Sequence, residues 1–350
     1  MTKSAHRQVE SAITVVGTGM WGTTLAVQLA LGNRAVRWLA RTDDEAKQLR
    51  DCGENRRFLP GIPIPPAVDI TGDPLAALPG SEIVLLVVPS EAMRRNLRWI
   101  APGVTADSLL VSATKGLETA AGKTMSALIR EELPELAPGG VLALSGPNLA
   151  REIARGQPAA AVLAGTDAEL TRRARERLML PRFRIYTSTD VIGVELGGAL
   201  KNVMAIVAGI CDGLGLGDNA KAALLTRGVA EMTRLGVAMG AQPLTFAGLA
   251  GLGDLMATCA SRQSRNRHVG EQLAQGKSLD EILDSMDNVA EGVPTTRAAV
   301  RLARSLDVEL PITELLHEVL KGGTTVAQAT VELLERAPRD ELDSASLESL

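Results

Sequence analysis

Short apolar runs alternate with helical spacing along the first half of the chain. Strands are predicted at 12–16, 35–39, 83–88, 109–111, 141–144 and 160–163, and helices at 22–31, 43–50, 91–100, 121–132 and 167–178. Strands that alternate with helices favour parallel pairing, with helices on both faces of the sheet. The segment 55–66 interrupts this pattern with four prolines. We expect it to be a loop, because proline cannot donate to a strand ladder.

From about residue 190 the apolar residues follow helical spacing almost to the end. Helices are predicted at 194–210, 218–239, 279–286, 295–305 and 311–320, and no strand is predicted. The two patterns together predict an α/β protein. A Rossmann-type doubly wound domain is expected at 11–189 and an all-helical domain at 190–337, followed by a solvated acidic tail at 338–350.

Composition narrows the class of protein. The chain has 350 residues, of which 45% are hydrophobic and 22% charged, as in soluble globular proteins of about two domains. Its net charge of −4 and its 2% of aromatic residues argue against nucleic-acid binding. Three scattered cysteines and three distant histidines predict neither disulfides nor a metal site. With no apolar run of membrane-spanning length and no secretory core, we expect a cytoplasmic protein without a membrane span.

A glycine-rich turn follows the first predicted strand. Gly17, Gly19 and Gly22 fit the pattern G-x-G-x-x-G and open a predicted helix. In dinucleotide sites the first glycine permits the tight turn, the second lets the backbone approach a pyrophosphate, and the third allows close packing of helix on strand. The alternative is a purely structural turn, but the strand and helix on either side favour dinucleotide binding.

The end of the second strand bears on the choice of cofactor. NAD sites usually place an acidic residue there for the ribose 2′-hydroxyl, whereas NADP sites favour arginine. Arg41 occupies this place, so NADPH is favoured. Asp43 lies two residues further on and keeps NADH open.

Lys201 lies on an otherwise uncharged helical face. The residues that share this face at helical spacing are Val194, Gly197, Gly198, Met204, Ala205 and Ala208. Such a face desolvates an ammonium group and lowers its pKa toward the range that is useful for proton transfer. The alternatives are that the lysine reaches water or closes a buried ion pair.

Other polar residues follow strands or gather in the helical half. Lys115 follows the strand at 109–111, and Ser145-Gly-Pro-Asn148 follows the next one, at the edge where open α/β sheets bind ligands. The segment 261–267 combines three arginines with short polar side chains, which suits a phosphate dianion. It could equally be a solvated basic turn. Asp254 lies among glycines, where a loop aspartate is usually a cap.

These residues together resemble the bacterial-type NAD(P)-dependent glycerol-3-phosphate dehydrogenases over about 12–335. The blocks that carry the resemblance are GTGMWGT (17–23), NRRFLPG (55–61), VPS (88–90), SATKGLE (112–118), LSGP (144–147), DVIGVELGGALKNV (190–203), GLGDLMATC (251–259), QSRNRHVG (263–270) and VAEG (289–292). The resemblance implies a reversible reduction of dihydroxyacetone phosphate to sn-glycerol 3-phosphate, which supplies the phospholipid backbone. It also implies a homodimer.

The resemblance assigns roles to particular residues. Lys201 matches the catalytic lysine, and Lys115 matches a lysine shared by cofactor and substrate. The implied substrate contacts are Gly146, Asn148, Asp254, Ser264, Arg265 and Asn266, and the implied cofactor contacts are Gly17, Gly19, Met20, Trp21, Gly22, Arg41, Ala150, Arg265, Val289 and Glu291. Two positions depart from the family pattern. Asn148 stands where serine or threonine is usual, and Met20 replaces a common serine.

Two other classes of protein remain open from the sequence. One is a related two-domain dehydrogenase that acts on a hydroxy acid or a phosphogluconate. The other is a non-catalytic NADPH sensor, although a sensor has no need of a proton donor such as Lys201.

Overall fold

The computed structural model describes residues 12–286 and 290–337. Within them the strands are β1 (Ala12–Val16), β2 (Val36–Leu39), β3 (Val68–Thr71), β4 (Ser81–Leu86), β5 (Leu109–Ser112), β6 (Val141–Ser145), β7 (Ala159–Ala164) and β8 (Phe183–Ser188). They form one eight-stranded sheet in the order β3-β2-β1-β4-β5-β6-β7-β8. This order reverses at β1, as in doubly wound folds. The predicted fold class is therefore confirmed.

Helices cover both faces of this sheet. They are α1 (Met20–Leu31), α2 (Asp43–Cys52), α3 (Pro74–Ala77), α4 (Met93–Ile100), α5 (Met125–Glu132), α6 (Ala150–Ala154) and α7 (Ala168–Leu178). Successive side chains of a strand point to opposite faces. Ile13 and Val15 accordingly join one hydrophobic core, while Val16 joins the other.

One pair of neighbouring strands is antiparallel, although the sequence predicted parallel pairing. β6 and β7 are antiparallel, whereas the other neighbouring strands pair in parallel. The connection between them contains only the five-residue helix α6, which is held against α1 by hydrogen bonds from Thr24 to the carbonyl of Ala150 and from Gln28 to that of Ala154. The chain therefore reverses direction without crossing the sheet.

Two strands were not predicted, and both lie at the edges of the sheet. β3 directly follows the proline-rich loop and has only four residues. In β8, Phe183 and Ile185 are buried while Arg184 and Tyr186 are exposed, so its alternating pattern lacks the continuous apolar run of the central strands. The predicted loop at 55–66 is confirmed, apart from an isolated bridge between Glu54 and Pro63.

Beyond the sheet the described residues are helical. The helices are α8 (Val191–Gly213), α9 (Gly217–Ala238), α10 (Pro243–Ala247), α11 (Asp254–Ala260), α12 (Arg265–Ala274), α13 (Leu279–Asp284), α14 (Gly292–Ser305), α15 (Pro311–Leu320) and α16 (Val326–Leu334), with a π turn at Leu249–Gly253. The five predicted helices correspond to α8, α9, α13, α14 and α15. Helices α10, α11, α12 and α16 were not predicted. The domain boundary near residue 189 stays a prediction, and the acidic tail at 338–350 lies outside the described residues.

The long helix α8 is the centre of the helical half. A Cβ atom on Gly209 would lie 2.0 Å from the carbonyl oxygen of Arg267, and one on Gly270 would lie 1.9 Å from that of Ile206. These glycines let the backbones of α8 and α12 touch. Helix α8 and the stretch 243–260 are long and apolar enough to cross a membrane by length and composition. However, 89% of the most apolar window of α8 is buried inside the protein, as in a core helix.

Glu231 joins α9 to the start of α15. Its carboxylate is buried and accepts hydrogen bonds from the backbone N–H groups of Ile312 at 2.6 Å and Thr313 at 3.2 Å. Burial raises the pKa of Glu231 to about 7, because a desolvated carboxylate is less stable than the neutral acid. The hydrogen bonds oppose this rise without cancelling it.

We expect Glu231 to make the protein less stable as the pH rises. Between the ordinary glutamate pKa and about 7, the unfolded chain has lost this proton while the folded protein keeps it. The folded state then binds more protons, so the free energy of unfolding falls through this window by roughly 3 kcal/mol. Urea unfolding of Glu231→Gln at several pH values should show a shallower fall. The exposed Glu332→Gln is the control and should keep the wild-type slope, and an unchanged slope in Glu231→Gln would contradict the assignment.

Candidate active site

Asp254 binds two lysines that come from different parts of the fold. Its Oδ1 atom lies 2.5 Å from Nζ of Lys201, and its Oδ2 atom lies 2.6 Å from Nζ of Lys115. The carboxylate is buried and belongs to the first residue of α11, directly after the π turn. The prediction that Asp254 lies in a loop is therefore wrong. Charged groups at this depth need partners, because water does not solvate them.

Lys201 also donates a hydrogen bond to Oγ1 of Thr258, at 2.7 Å. Thr258 lies one helical turn after Asp254 in α11, so both groups face the lysine from the same side of the helix. The sequence analysis missed Thr258. The available signal was its spacing of four residues from Asp254, which has meaning only once this segment is known to be helical.

Two adjacent glycines let α8 reach this position. A Cβ atom on Gly197 would lie 2.5 Å from the carbonyl oxygen of Ala250, and one on Gly198 would lie 2.4 Å from Oγ of Ser145. Helix α8 therefore fits between the π turn and the carboxyl end of β6. Lys201 follows these glycines by one turn on the same face, so their lack of side chains brings the ammonium to the carboxylate.

Lys115 extends from the loop at the carboxyl end of β5. Its Nζ atom donates a second hydrogen bond to the carbonyl oxygen of Gly146, at 2.8 Å. Gly146 has a φ of +147°, and a Cβ atom there would lie 2.9 Å from Cα of Ala161, so glycine is required. The turn after β6, which was predicted to bind substrate, is thus joined to Lys115 through its backbone.

The pKa of Lys201 is lowered to about 8. The main cause is burial, which disfavours the charged ammonium, and the positive charge of Lys115 acts in the same direction. The Asp254 carboxylate opposes both effects. A lysine with this pKa is still mostly protonated at neutral pH and can give up its proton readily.

Glu291 and Arg265 are linked through the residues that follow them, because the N–H of Gly292 donates to Oδ1 of Asn266 at 2.9 Å. Burial raises the pKa of the Glu291 carboxyl, and the positive charges of Arg265, Lys201 and Lys115 oppose this rise. Arg265 is exposed at the first position of α12. A guanidinium that acts on the same carboxylate as the two lysines suits a ligand that carries a phosphate dianion.

Ser264 and Asn266 contribute to the local structure as well as to the predicted site. Ser264 caps α12 by accepting a hydrogen bond from the N–H of Arg267, at 3.2 Å. The Asn266 amide donates to Oδ1 of Asn202 and accepts from the N–H of Gly292, both at 2.9 Å. These bonds fix the junction of α8, α12 and the start of α14 beside Lys201. Each of these two side chains also carries an O–H or N–H hydrogen that it can donate to a ligand.

One of the three arginines of the segment 261–267 does not face the site. The guanidinium of Arg267 binds Oδ2 of Asp212 at 2.7 Å and Oε1 of Glu271 at 2.9 Å. It therefore ties α12 to the end of α8. Of this segment, Arg265 is the arginine whose charge acts on Glu291.

Asn148 presents an amide group without a partner. Its Oδ1 and Nδ2 atoms are both buried and make no hydrogen bond to any of the described residues. Buried polar atoms are normally paired, so an unpaired amide marks a place for a ligand or water. This observation supports the substrate contact that the resemblance implies, although the side chain differs from the usual serine or threonine.

The glycine turn has the shape that a dinucleotide requires. Gly17 has a φ of +111°, and a Cβ atom there would lie 2.4 Å from the carbonyl oxygen of Val87. A Cβ atom on Gly22 would lie 2.3 Å from the carbonyl oxygen of Gly17, so α1 packs directly on the turn. Gly19 differs, because no heavy atom of the described residues lies within 4 Å of its Cβ position. This open side leads to the N-terminus of α1, where a pyrophosphate fits.

Side chains from β2 and from the loop at 55–66 hold the turn in place. Nε1 of Trp38 donates to the carbonyl oxygen of Gly17 at 2.9 Å. Nδ2 of Asn55 lies 2.8 Å from both the carbonyl oxygen of Thr18 and Oγ1 of Thr23. The sequence analysis used the Asn55 segment for the loop prediction and for the resemblance, and it missed this buried contact.

Other predicted cofactor residues lie along α1 and α6. Met20 begins α1, and the ring of Trp21 packs edge-on against Phe183 with 6.1 Å between centroids. Ala150 begins α6, and its carbonyl oxygen accepts a hydrogen bond from Thr24 of α1 at 3.1 Å. These residues therefore border the same end of the turn.

Arg41 follows β2 with 70% of its side chain exposed. An accessible arginine at this place is typical of sites that accept a 2′-phosphate. Val289, another predicted cofactor contact, lies outside the described residues.

The fold and the site together define a class of protein. A doubly wound sheet with an open glycine turn, joined near the carboxyl end of its strands to a buried carboxylate that binds two lysines, is the arrangement of an NAD(P)-dependent dehydrogenase. The family model for the N-terminus of NAD-dependent glycerol-3-phosphate dehydrogenase matches residues 12–171, and that for the C-terminus matches residues 190–331. The chain belongs to this family.

Known proteins of similar sequence and structure agree. The chain is 48% identical over 324 residues to the NAD(P)+ glycerol-3-phosphate dehydrogenase of Geobacter sp. (strain M21), covering 93% of this chain and 97% of the relative. It is 44% identical over 330 residues to that of Chlorobium phaeobacteroides (strain BS1), covering 94% and 99%. The crystal structure of glycerol-3-phosphate dehydrogenase from Coxiella burnetii matches with a TM-score of 0.89 at 38% identity, covering 93% and 99%.

Gly17 and Gly19 of the turn should respond differently to replacement by alanine. Gly19→Ala adds a methyl group to open space, so the fold should be kept while NADPH binding weakens, by about tenfold or more. Gly17→Ala forces a left-handed residue against the Val87 carbonyl, so it should lower the melting temperature. Thermal melting with and without NADPH separates the two effects. Wild-type NADPH affinity in Gly19→Ala would contradict this placement of the pyrophosphate.

Proposed function

We propose that this protein reduces dihydroxyacetone phosphate to sn-glycerol 3-phosphate with NAD(P)H, and that Lys201 is its proton donor. The observation that carries the proposal is the contact of the buried Asp254 carboxylate with Lys201 and Lys115 near the carboxyl end of the sheet. The reaction is reversible, and its product supplies the backbone of glycerophospholipids. The bound cofactor supplies the hydride that the carbonyl carbon of the substrate accepts.

Lys201 acts on the carbonyl oxygen of the substrate. As ammonium it polarises the C=O bond and then donates a proton to the forming alkoxide, and in the reverse direction the neutral amine removes the hydroxyl proton. Asp254 and Thr258 hold the ammonium in one orientation by accepting its hydrogen bonds. Because Asp254 also stabilises the charged form, Lys201 begins the reduction protonated.

The phosphate group of the substrate is held away from the reacting carbon. Arg265 supplies a guanidinium for bidentate contact, while Ser264, Asn266 and the unpaired amide of Asn148 supply neutral donors. Lys115 contacts both Asp254 and the backbone of Gly146. Its ammonium group is therefore assigned to binding the substrate near Lys201. A remote anchor fixes the substrate and reduces the entropic part of the barrier.

The site favours this function over the two alternatives. A hydroxy-acid or phosphogluconate dehydrogenase would share the cofactor half, but family membership and the cations around Glu291 favour a small phosphorylated substrate. A cofactor sensor has no need of a buried lysine with a lowered pKa.

The homodimer and the cytoplasmic location stay predictions. Three free cysteines are consistent with a reducing compartment.

Replacing Lys201 should remove turnover while keeping the cofactor site. Lys201→Met fills a similar volume without a proton or a charge, so the rate of NADPH oxidation with dihydroxyacetone phosphate should fall about 10²- to 10⁴-fold. NADPH affinity, measured by calorimetry, should stay within about twofold of wild type. A rate near wild type would exclude Lys201 as the proton donor.

The pH dependence of the reduction should report the pKa of Lys201. The reduction needs the ammonium form, so kcat/KM should fall as the pH rises through about 8. Asp254→Asn removes the negative charge that raises this pKa, so the fall should move to lower pH. Thr258→Val is the matched control, because it removes a hydrogen bond to Lys201 without changing charge, and should move the profile less. An unshifted profile in Asp254→Asn would refute the coupling.

Arg265 should act on the phosphate and not on the chemistry. Arg265→Ala should raise KM for dihydroxyacetone phosphate by about 10- to 100-fold, because it removes a charge-assisted hydrogen bond. The slow rate with unphosphorylated dihydroxyacetone should change little. Arg262→Ala, on the same segment, is the control and should behave as wild type. Equal losses with both substrates in Arg265→Ala would argue against a phosphate contact.

A further inference from the structure

The carboxylate of Glu45 lies between the two segments that recognise the adenosine half of a dinucleotide. Its Oε1 atom accepts a hydrogen bond from Oγ1 of Thr18 at 2.7 Å, and its Oε2 atom accepts one from the backbone N–H of Arg41 at 3.0 Å. Thr18 belongs to the glycine turn, and Arg41 follows the end of β2. Glu45 itself lies in the first turn of α2, with 17% of its side chain exposed.

These contacts place the carboxylate beside the expected path of the adenosine ribose. The open side of Gly19 marks the position of the pyrophosphate, and the end of β2 is where dinucleotide folds recognise the ribose 2′ substituent. Glu45 bonds to one residue of each of these segments. A dinucleotide that runs from the turn to the end of β2 therefore passes next to its carboxylate.

The end of β2 also carries an arginine, Arg41. Nε of Arg41 lies 4.0 Å from Oε2 of Glu45, and the arginine side chain is mostly exposed. Such a long and exposed ion pair is weak, so the guanidinium can turn toward a ligand. An arginine there binds a 2′-phosphate, whereas a carboxylate accepts a hydrogen bond from a 2′-hydroxyl and repels a phosphate. In this protein both kinds of group lie at the end of β2, because the Glu45 carboxylate accepts a hydrogen bond from the N–H of Arg41.

We propose that Glu45 is a specificity-determining residue that sets the preference between NADH and NADPH. Its carboxylate favours the free 2′-hydroxyl of NADH and offsets the preference for NADPH that Arg41 confers. The sequence analysis considered Asp43 as the acidic residue. However, Asp43 is exposed, and its Oδ1 atom lies beside Gly72, the residue that follows β3. The inference rests on the proposed use of NAD(P)H and adds to it a residue that discriminates between the two forms.

A purely structural role for Glu45 makes a different prediction. Glu45 is the third residue of α2, and its N–H bonds to Oγ1 of the N-cap residue Thr42 at 3.2 Å. Its carboxylate returns to the backbone before the helix, as in a capping box. A cap alone stabilises the end of α2 and affects both cofactors equally. The discriminating quantity is therefore the ratio of the two affinities and not either affinity alone.

The test measures equilibrium binding of NADH and NADPH by calorimetry, without substrate. In Glu45→Gln the amide keeps the size of the side chain and removes its charge, so the ratio of Kd for NADH to Kd for NADPH should rise about tenfold. Glu45→Lys should raise this ratio further. Arg41→Ala should lower it. Asp44→Asn removes a neighbouring exposed charge from the same turn of α2 and should leave the ratio within about twofold of wild type.

The same measurements contain the results that would overturn the proposal. An unchanged ratio in both Glu45→Gln and Glu45→Lys, with the wild type binding both cofactors, would reduce Glu45 to a helix cap. An equal rise in Asp44→Asn would show a general effect of charge instead of a contact at the ribose. Failure of the wild type to bind either cofactor would instead refute the proposed function. Melting temperatures of the variants show that they are folded. The affinities for 2′,5′-ADP and 5′-AMP repeat the comparison with ligands that lack the nicotinamide half.

Discussion

One buried carboxylate, that of Asp254, holds two ammonium groups in place, and most of the site depends on it. Lys115 and Lys201 are both largely removed from water, and two such cations repel each other at close range. A carboxylate that offers one oxygen to each offsets the cost of their burial. Because one lysine belongs to the sheet half and the other to α8, the same contact also fixes how the two halves meet.

Small residues make that contact geometrically possible. Gly197 and Gly198 let α8 lie against the π turn and the end of β6, and Gly209 and Gly270 let α8 and α12 touch. A lysine on a helix can reach a buried partner only if the helix axis comes close enough. The glycines provide this approach, and burial then lowers the pKa of Lys201 to about 8, the range in which it can donate a proton.

Long, regular features of the sequence predicted the fold and singled out Lys201. The central strands and the helices α8, α9, α14 and α15 have clear periodicity, and Lys201 could be singled out because its helical face is otherwise uncharged. Strand β7 was predicted, but as a parallel strand. The edge strands β3 and β8 and the short helix α11 were missed. Their local patterns are weak because neighbouring elements, and not their own residues, stabilise them.

The sequence alone determined which residue types are available, and from them it predicted a glycine turn for a dinucleotide, lysines for proton transfer and charge, and an arginine for phosphate. It could do so because these functions require particular residue types at short spacings along the chain. Only the tertiary structure decided which of them act together. Asp254 lies 53 residues from Lys201 and 139 from Lys115. Glu45 meets the glycine turn across 27 residues. No local pattern encodes such contacts, because they arise when separate elements pack.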